Sequence, residues 1–275
     1  MNDIHQISIL GGHGKNVREP DRVAQIDLRM GDIISIVGPT GSGKTTLIND
    51  IELFANSDTP TGRTILIDGK PAPASCRNDP GSNPIALITQ HTNFLSDLPV
   101  QVFLETHAGI RSADPARVQQ MIEDTLAFAN QLTGEPVIPG NRMTELSGGQ
   151  TRALLIADAT VICDTPIVLL DEVENAGIHR SRALELLRQH RKIFIFVTHD
   201  PRIALLSDQR IVMGGGCIRD LIVTDEAERV FANTVGLFDD ALTRWREVIR
   251  LGGRLGREES AQAKKLAALA EEVMA

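Results

Sequence analysis

The chain has 275 residues, of which 42% are hydrophobic, and this length predicts one or two domains with a full apolar core. Its formal net charge of −8 and pI near 5.4 exclude a generally basic surface, so we expect no nucleic-acid partner. The three widely spaced cysteines form no C-x-x-C pair, and the N-terminus lacks a signal-peptide pattern. These features predict a cytoplasmic chain without disulfides, structural zinc or membrane insertion.

The N-terminal third has the pattern of short strands broken by glycine and charged turns. Apolar runs predict strands at 7–10, 24–28, 33–37, 65–67 and 85–89. Asp68-Gly69 predicts a tight turn after the fourth of these strands. A helix is expected to begin at Lys44, and the proline-rich segment 70–84 predicts a surface loop.

The second part of the chain alternates between helical and strand patterns. Helical spacing occupies about 93–130, with Pro115 near the start of one helix. Helices are then predicted at 151–161 and 180–189, and fully apolar strands at 167–170 and 193–197. Apolar strands that alternate with helices are typical of a parallel sheet covered on both faces, so the fold class is α/β.

A phosphate-binding loop follows the strand at 33–37. It reads Gly38-Pro39-Thr40-Gly41-Ser42-Gly43-Lys44-Thr45 and is followed by Thr46, which fills every fixed position of G-x-x-x-x-G-K-[ST]. Its glycines let backbone N–H groups turn toward phosphates, and the following helix adds its positive N-terminal end. Lys44 is expected to reach the outer phosphates, and Thr45 offers a hydroxyl to Mg²⁺.

Two adjacent carboxylates end the strand at 167–170. Asp171 and Glu172 are delivered to the carboxyl end of a buried strand, which is where ligands of open parallel sheets bind. Asp171 is expected in the metal shell, and Glu172 is expected to polarise the attacking water.

Five landmarks occur in a characteristic order along the chain. They are the phosphate loop, Gln90 at a strand end, the run Leu146-Ser147-Gly148-Gly149-Gln150, the pair Asp171-Glu172, and His199 after a strand. In this order the chain resembles ATP-binding cassette (ABC) ATPases over about residues 1–222. The resemblance implies a P-loop NTPase core of ABC type at 1–91 and 146–222, with a mixed sheet and a small antiparallel β part. It also implies a helical subdomain at 92–145 and leaves 223–275 as a helical extension.

The resemblance assigns roles to particular residues. Ser147, Gly148 and Gly149, with Gln150, would bind the γ-phosphate of an ATP held by another subunit. Two such chains would therefore close head to tail around ATP, as a homodimer or as a heterodimer with another ABC subunit. Gln90 would sense Mg²⁺ and the attacking water, and His199 would contact the γ-phosphate. The implied activity is Mg²⁺-dependent ATP hydrolysis, with Glu172, His199 and Gln90 as its catalytic residues.

The sequence departs from the family pattern in three places. The chain has no tyrosine and its only tryptophan is distant, so His13 or Val23 is expected to contact adenine. The usual Ser-Ala-Leu-Asp turn is replaced by Asn175-Ala176-Gly177-Ile178, which lacks the acidic residue that couples the two sites. Leu146 to Gln150 is the signature run of the family, and the arginine-rich helix start that usually follows it keeps only Arg152 here. Asp158 stands where arginine is common.

The C-terminal segment carries an apolar helical stripe. Its members are Phe231, Val235, Phe238, Leu242, Trp245 and Ile249, and Gly252-Gly253 separates it from a second helical stretch at 258–273. One interpretation is a hairpin that covers the ATPase core, because a tryptophan within an apolar stripe is commonly a core anchor. The other is a docking or dimerisation surface.

The process that the ATPase drives has two interpretations. The first is the nucleotide-binding subunit of an import-type transporter, held at the inner face of the membrane by a separate permease. Leu98-Pro99-Val100 resembles a run common in import-type members. The second is a soluble ATPase that acts on an enzyme-activation or cofactor-assembly complex, which the departures favour. A nucleotide sensor without hydrolysis is disfavoured because Glu172, Gln90 and His199 are all present.

Overall fold

The computed structural model describes residues 4–14, 19–172 and 180–274. The chain divides into two compact units, with the division in sequence between Val223 and Thr224.

A six-stranded sheet forms the centre of the first unit. Its strands, in spatial order, are β10 (Cys217–Val223), β9 (Gln209–Gly214), β3 (Ile33–Val37), β8 (Ile193–Val197), β7 (Ile167–Asp171) and β6 (Ile85–Thr89). Neighbouring strands are parallel except β9 and β10, which form an antiparallel hairpin. This mixed sheet confirms the predicted fold class. The hairpin itself is absent from the predicted elements.

A four-stranded antiparallel sheet belongs to the same unit. Its spatial order is β2 (Gln25–Arg29), β1 (Gln6–Leu10), β4 (Thr64–Ile67) and β5 (Lys70–Pro71). Asp68 and Gly69 connect the last two strands with φ of 47° and 77°. Positive φ at both central residues is the geometry of a tight hairpin turn, so the predicted turn is confirmed.

Helices cover the larger sheet. They are α1 (Lys44–Glu52), α2 (Ala74–Asn78), α3 (Val100–Arg111), α4 (Pro115–Leu132), α5 (Gly148–Thr160), α6 (Arg180–Arg188) and α7 (Pro201–Leu206), with 3₁₀ turns at Pro80–Ser82 and Met143–Glu145. Pro115 begins α4, and the side chain of Asp114 caps that helix by accepting the Ala116 N–H. Proline suits the first helical position because the N–H that it lacks would have no partner within the helix.

The prediction of a loop at 70–84 is wrong. That segment holds a strand of two residues, the one-turn helix α2 and a 3₁₀ turn. Asp79 organises the 3₁₀ turn because its carboxylate accepts the N–H of Gly81 at 3.0 Å and the hydroxyl of Ser82 at 2.7 Å. Side-chain hydrogen bonds of this local kind hold a polar, proline-rich segment in turns that apolar periodicity does not reveal.

Both faces of the larger sheet are buried, and each belongs to a separate apolar cluster. Along β7, Val168 and Leu170 pack on the side of α3 to α6, whereas Ile167 and Leu169 pack on the side of α1 and the smaller sheet. Alternate side chains of a strand point to opposite faces. Because both faces need apolar side chains, the strand is continuously apolar, and its carboxyl end is held rigidly.

The second unit consists of two helices, α8 (Glu226–Arg250) and α9 (Arg257–Met274), which contact each other. Gly252, with φ of 75°, follows α8. The predicted stripe lies on α8, but Phe231, Leu242 and Ile249 are exposed to 42%, 44% and 59%. Across the described ranges, no helix combines the length and apolar character that crossing a membrane requires.

Candidate functional site

Strand register brings the ends of four parallel strands to one edge of the larger sheet. Thr89 at the end of β6 pairs with Asp171, and Asp171 pairs with Val197 at the end of β8. Val197 in turn pairs with Ile36, one residue before the end of β3. The residues that follow these strands therefore converge on one edge, which is the usual ligand position in open parallel sheets.

A cavity of about 400 Å³ opens at this edge. The residues that line it are Thr40, Gly41, Ser42, Gly43, Lys44, Thr45, Thr46, Gln90, Asp171, Glu172, Val197 and His199. The predicted phosphate loop, the paired acids, Gln90 and His199 thus share one wall. A neighbouring cavity of about 450 Å³ includes Gly38 and Pro39, and His199 lines both. Ser147 to Gln150 line neither cavity.

The loop between β3 and α1 is shaped by its glycines. Gly43, the residue before α1, has φ of 98°, and a Cβ at this position would lie 2.9 Å from Cα of Gly216. Both the backbone conformation and the close approach require glycine. Lys44 is buried, and its Nζ donates to the carbonyls of Gly38 at 2.8 Å and Pro39 at 3.2 Å. An ammonium carries three protons, so one remains for a phosphate oxygen.

Glu172 occupies an unusual backbone conformation for a residue with a side chain. Its φ is 51°, and its N–H donates to the carbonyl of Val197 at 3.0 Å. Its Oε1 lies 3.5 Å from Nε2 of His199. Non-glycine residues in the left-handed region persist only where the surroundings fix them, and they cluster at functional sites. The two side chains are only partly exposed, at 33% and 49%, and both face the cavity.

The donor set of the cavity fits a hard divalent cation. The hydroxyl of Thr45, the amide of Gln90 and the carboxylate of Asp171 all line the same wall. Oxygen donors of this kind, with one or two carboxylates and room for phosphates, are what Mg²⁺ prefers. The residues present therefore fit Mg²⁺ together with a nucleotide phosphate.

Arg152 connects Gln90 to the signature run. Its guanidinium donates to the backbone carbonyl of Gln90 and, at 3.1 Å, to that of Gly148. The side-chain Nε2 of Gln90 lies 3.1 Å from Nε2 of His91. In the sequence, Arg152 is recognisable only as the one arginine kept at the start of α5. Its contact with Gln90 spans 62 positions and leaves no local sequence signal.

The signature run forms the start of α5. Ser147 is the N-cap: its hydroxyl accepts the N–H of Gln150, and its own N–H donates to the side chain of Gln150 at 2.8 Å. This reciprocal pair is a capping box. Gln150 also donates to the carbonyl of Pro136 at 2.9 Å. Ser147 and Gly148 are exposed, so they are available to another molecule.

The expected adenine contacts lie away from the described cavity. Neither His13 nor Val23 is among its lining residues. Nδ1 of His13 lies 3.0 Å from the carbonyl of Gly14, and Val23 packs against the apolar cluster that includes α1. The turn Asn175-Ala176-Gly177-Ile178 lies outside the described residues.

Sequence reasoning missed several residues at this edge. Val197 lines the first cavity, and Thr198, Asp200, Pro201 and Arg210 line the second. Asp200-Pro201 does carry a local signal, because an acidic residue before proline is typical of a helix start. In α7 the Asp200 carboxylate accepts the N–H groups of Arg202 and Ile203.

Comparison with known proteins gives a family and several relatives. The family described as ABC transporter matches residues 22–175. An uncharacterized ABC transporter ATP-binding protein of Methanocaldococcus jannaschii is 43% identical over 94% of this chain and 97% of its own length. A sulfate/thiosulfate import ATP-binding protein of Gloeobacter violaceus is 29% identical over 75% of this chain and 60% of its own. An ATP-dependent lipid A-core flippase of Hahella chejuensis is 33% identical over 72% of this chain, but only 35% of its own length is covered.

A solved structure shares the fold. It is a dimeric, post-hydrolysis ATP-binding cassette bound to ADP and Pi, and it matches with a TM-score of 0.59 at 22% identity. The match covers 80% of this chain and 99% of that one.

Proposed function

Because this chain belongs to the ATP-binding cassette family, we propose that it is a Mg²⁺-dependent ATPase that powers an import-type transporter. The observation that carries the proposal is that the phosphate loop, Gln90, Asp171, Glu172 and His199 line the same cavity. A phosphate cradle beside two carboxylates, an amide and an imidazole is suited to hydrolysis of a nucleoside triphosphate.

The phosphate loop binds the nucleotide. Backbone N–H groups of Gly41 to Thr45, with the positive end of α1, face the β- and γ-phosphates. The third N–H of the Lys44 ammonium donates a hydrogen bond to an outer phosphate oxygen, and the positive charge of the ammonium offsets the charge that develops there. Thr45, Gln90 and Asp171 would hold Mg²⁺, which would neutralise phosphate charge when bound.

Glu172 activates the water. Its carboxylate takes a proton from the water as the water oxygen attacks the γ-phosphorus, and the bond from that phosphorus to the β,γ-bridging oxygen breaks, giving ADP and phosphate. Its Oε1 is 3.5 Å from Nε2 of His199, so both side chains reach the same volume. His199 donates to a γ-phosphate oxygen and orients the group for in-line attack.

A second subunit completes the site. Ser147 and Gly148, which are exposed, and the half-buried Gly149 stand at the N-terminus of α5, and all three lie outside the cavity of their own chain. In a head-to-tail dimer they contact the γ-phosphate bound to the partner chain. The dimeric ATP-binding cassette bound to ADP and Pi supports this arrangement. We assign the ATPase domain to 1–222 and the extension to 223–275.

Two kinds of partner are proposed. The import-type transporter is supported by the relative named as a sulfate/thiosulfate import ATP-binding protein and by the run Leu98-Pro99-Val100. In that case a separate permease holds the cytoplasmic chain at the membrane. The alternative, a soluble ATPase acting on an enzyme-activation or cofactor-assembly complex, is supported by the unusual residues 175–178.

Nucleotide binding is tested by Lys44→Ala, with Lys70→Ala as the control because Lys70 is an exposed lysine on β5. We expect calorimetry with Mg-ATP to give a large loss of affinity for the first variant and none for the second. Full affinity in Lys44→Ala would contradict the loop assignment. Co-purification of a polytopic membrane protein supports the transporter, whereas a soluble complex alone supports the alternative.

A further inference from the structure

A cluster of His107, Asp158 and Cys163 lies outside the nucleotide site. Nδ1 of His107 is 2.8 Å from Oδ1 of Asp158, and Sγ of Cys163 is 3.7 Å from both Nε2 of His107 and Oδ2 of Asp158. One ligand atom from each residue can be chosen so that all three lie within 4.8 Å of one another. In the described part of the chain, this is the one group of three such residues close enough to hold a metal ion.

The fold creates this cluster from distant positions. His107 is on α3, Asp158 is near the end of α5, and Cys163 follows α5. The backbone N–H of Cys163 donates to the carbonyl of Asp158 at 2.9 Å, which keeps the thiol beside the carboxylate. The ring of Phe103, one turn before His107 on α3, meets the imidazole edge to face at 5.9 Å and restricts its rotation.

The spacing suits tetrahedral coordination. Bonds of about 2.0 Å to nitrogen or oxygen and about 2.3 Å to sulfur separate neighbouring ligands by roughly 3.5 Å. The two contacts made by Sγ, both 3.7 Å, are close to that separation, whereas Nδ1 of His107 and Oδ1 of Asp158 are hydrogen-bonded at 2.8 Å and would move apart when the metal binds. A thiolate beside an imidazole selects Zn²⁺ over Mg²⁺, which prefers oxygen ligands alone. This set therefore differs in kind from the oxygen donors of the nucleotide cavity.

We propose that His107, Asp158 and Cys163 form a site for a transition-metal dication of the Zn²⁺ type, with water as a fourth ligand. The side chains of His107 and Asp158 are 26% and 11% exposed. The group is thus mostly withdrawn from solvent, yet an ion can reach it. The proposal departs from the expectation of no structural zinc, because that expectation considers pairs of cysteines, whereas here one cysteine is joined by Asp158 and by the distant His107.

Bound metal would fix α3 to the end of α5. His107 is 51 positions from Asp158 and 56 positions from Cys163 in the sequence. The ion therefore closes a long loop and stabilises the native arrangement. Protons compete with the metal, because binding removes the proton that His107 shares with Asp158 in their 2.8 Å hydrogen bond. The proposal does not depend on ATP hydrolysis or on any partner.

Cobalt titration tests the site in the full-length protein without nucleotide and with Mg²⁺ in excess. We expect one equivalent of Co²⁺ to give a near-ultraviolet thiolate-to-metal absorption band, which Zn²⁺ then abolishes by displacement. Cys163→Ser should remove the band and weaken binding by on the order of 100-fold or more. Cys76→Ser is the matched control, because Cys76 is also a free and half-buried cysteine. This variant should keep both the absorption band and the wild-type affinity.

Thermal melting gives a second measurement. Zn²⁺ should raise the melting temperature of the wild type and of Cys76→Ser, but not that of Cys163→Ser. If Cys163→Ser does not fold, His107→Gln replaces it with the same expectation. The proposal is overturned if the wild-type protein gives no thiolate band, or if the band persists unchanged in Cys163→Ser or His107→Gln.

Discussion

At the scale of single residues, Glu172 combines a position at the cavity wall with a left-handed backbone, φ 51°. Its neighbour on the cavity wall is His199, whose Nε2 lies 3.5 Å from Oε1 of Glu172. A strained residue at a strand end is stable here because β7 is buried on both faces and its register with β8 is fixed. The geometry therefore places the carboxylate where a general base is needed.

We predict that Glu172→Gln keeps ATP binding and loses turnover by about 10²- to 10⁴-fold, because the amide cannot accept the proton of the attacking water. Glu135→Gln is the control, since Glu135 is exposed and outside the cavity. Calorimetry measures binding, and phosphate release measures turnover. Turnover equal to wild type in Glu172→Gln would mean that the water is activated by another group.

Arg63 is the largest fully buried side chain in the described residues, and it is held by two carboxylates. Its guanidinium makes two hydrogen bonds to Asp21, at 2.8 and 2.9 Å, and one to Asp50 at 3.1 Å. Burial by itself raises the pKa of Asp21. The hydrogen bonds from Arg63 and from the N–H groups of Gly12 and Ile218 outweigh burial, so the pKa of Asp21 lies below its ordinary value of 3.8.

The lowered pKa of Asp21 predicts an acid-sensitive fold. Since the folded pKa is below the unfolded one, this contribution to stability is complete above the unfolded pKa and is lost as pH falls through the folded pKa. Arg63→Met should destabilise the protein by about 3–5 kcal/mol near pH 7, because two buried carboxylates lose their counter-ion. Its deficit relative to wild type should shrink as pH falls toward 4, because the Asp21 carboxylate, without its counter-ion, then becomes protonated.

Denaturant titrations at several pH values measure this difference. Arg77→Met is the matched control, because Arg77 pairs with Asp58 at the surface and should change stability little at any pH. A deficit in Arg63→Met that is the same at pH 4 and pH 7 would show that its origin is packing and not charge.

At the scale of elements, α5 unites the signature run with a helix start. Ser147 and Gln150 form the capping box, and Gln150 also binds the carbonyl of Pro136. The exposed residues that are proposed to meet a partner's phosphate are therefore held by the same hydrogen bonds that begin the helix. A helix N-terminus with exposed N–H groups favours an anion.

We predict that Ser147→Ala lowers stability by about 1 kcal/mol through loss of the cap. For a unit of this size that equals a fall of about 2–4 °C in melting temperature. Ser147→Asp should keep the cap and the melting temperature, yet weaken ATP-dependent association because the carboxylate repels phosphate. Melting without nucleotide separates the two effects, and an unchanged melting temperature in Ser147→Ala would argue against the capping box.

At the scale of the whole molecule, we predict that ATP converts Glu172→Gln from monomer to dimer, because nucleotide that is not hydrolysed holds the two proposed sites closed. Light scattering measures the mass. Adding Gly148→Asp should prevent the dimer through repulsion of phosphate. A Cβ at Gly148 would lie 3.2 Å from the flexible end of Arg152, so the monomer should still fold. A mass that never responds to ATP would contradict the dimer.

The second unit, 224–275, is tested by deletion. The sequence predicts that the apolar stripe of this unit covers the ATPase core. A chain ending at residue 223 should therefore have a lower melting temperature and a lower solubility, because apolar surface becomes exposed. If the unit docks a partner instead, the shortened chain should keep its melting temperature and basal turnover. On α8 itself, Val235, Phe238 and Trp245 are half-buried, whereas Phe231 and Ile249 are exposed.

The sequence by itself determined the elements that depend on local patterns. Largely apolar runs predicted β3, β6, β7 and β8 nearly to the residue, because strands of a sheet covered on both faces have few polar positions. Glycine spacing predicted the phosphate loop, since positive φ at Gly43 is a local requirement. The order of the motifs was sufficient to identify the family.

The tertiary structure decided which distant residues meet. Register between β6, β7 and β8 brought Gln90, Glu172 and His199 to one cavity, and the arrangement of the helices brought His107 on α3 to Asp158 and Cys163. The hairpin β9–β10 and the burial of Arg63 were likewise absent from the sequence patterns. Periodicity and backbone preference act over a few residues, whereas these contacts arise only when separate elements pack into one core.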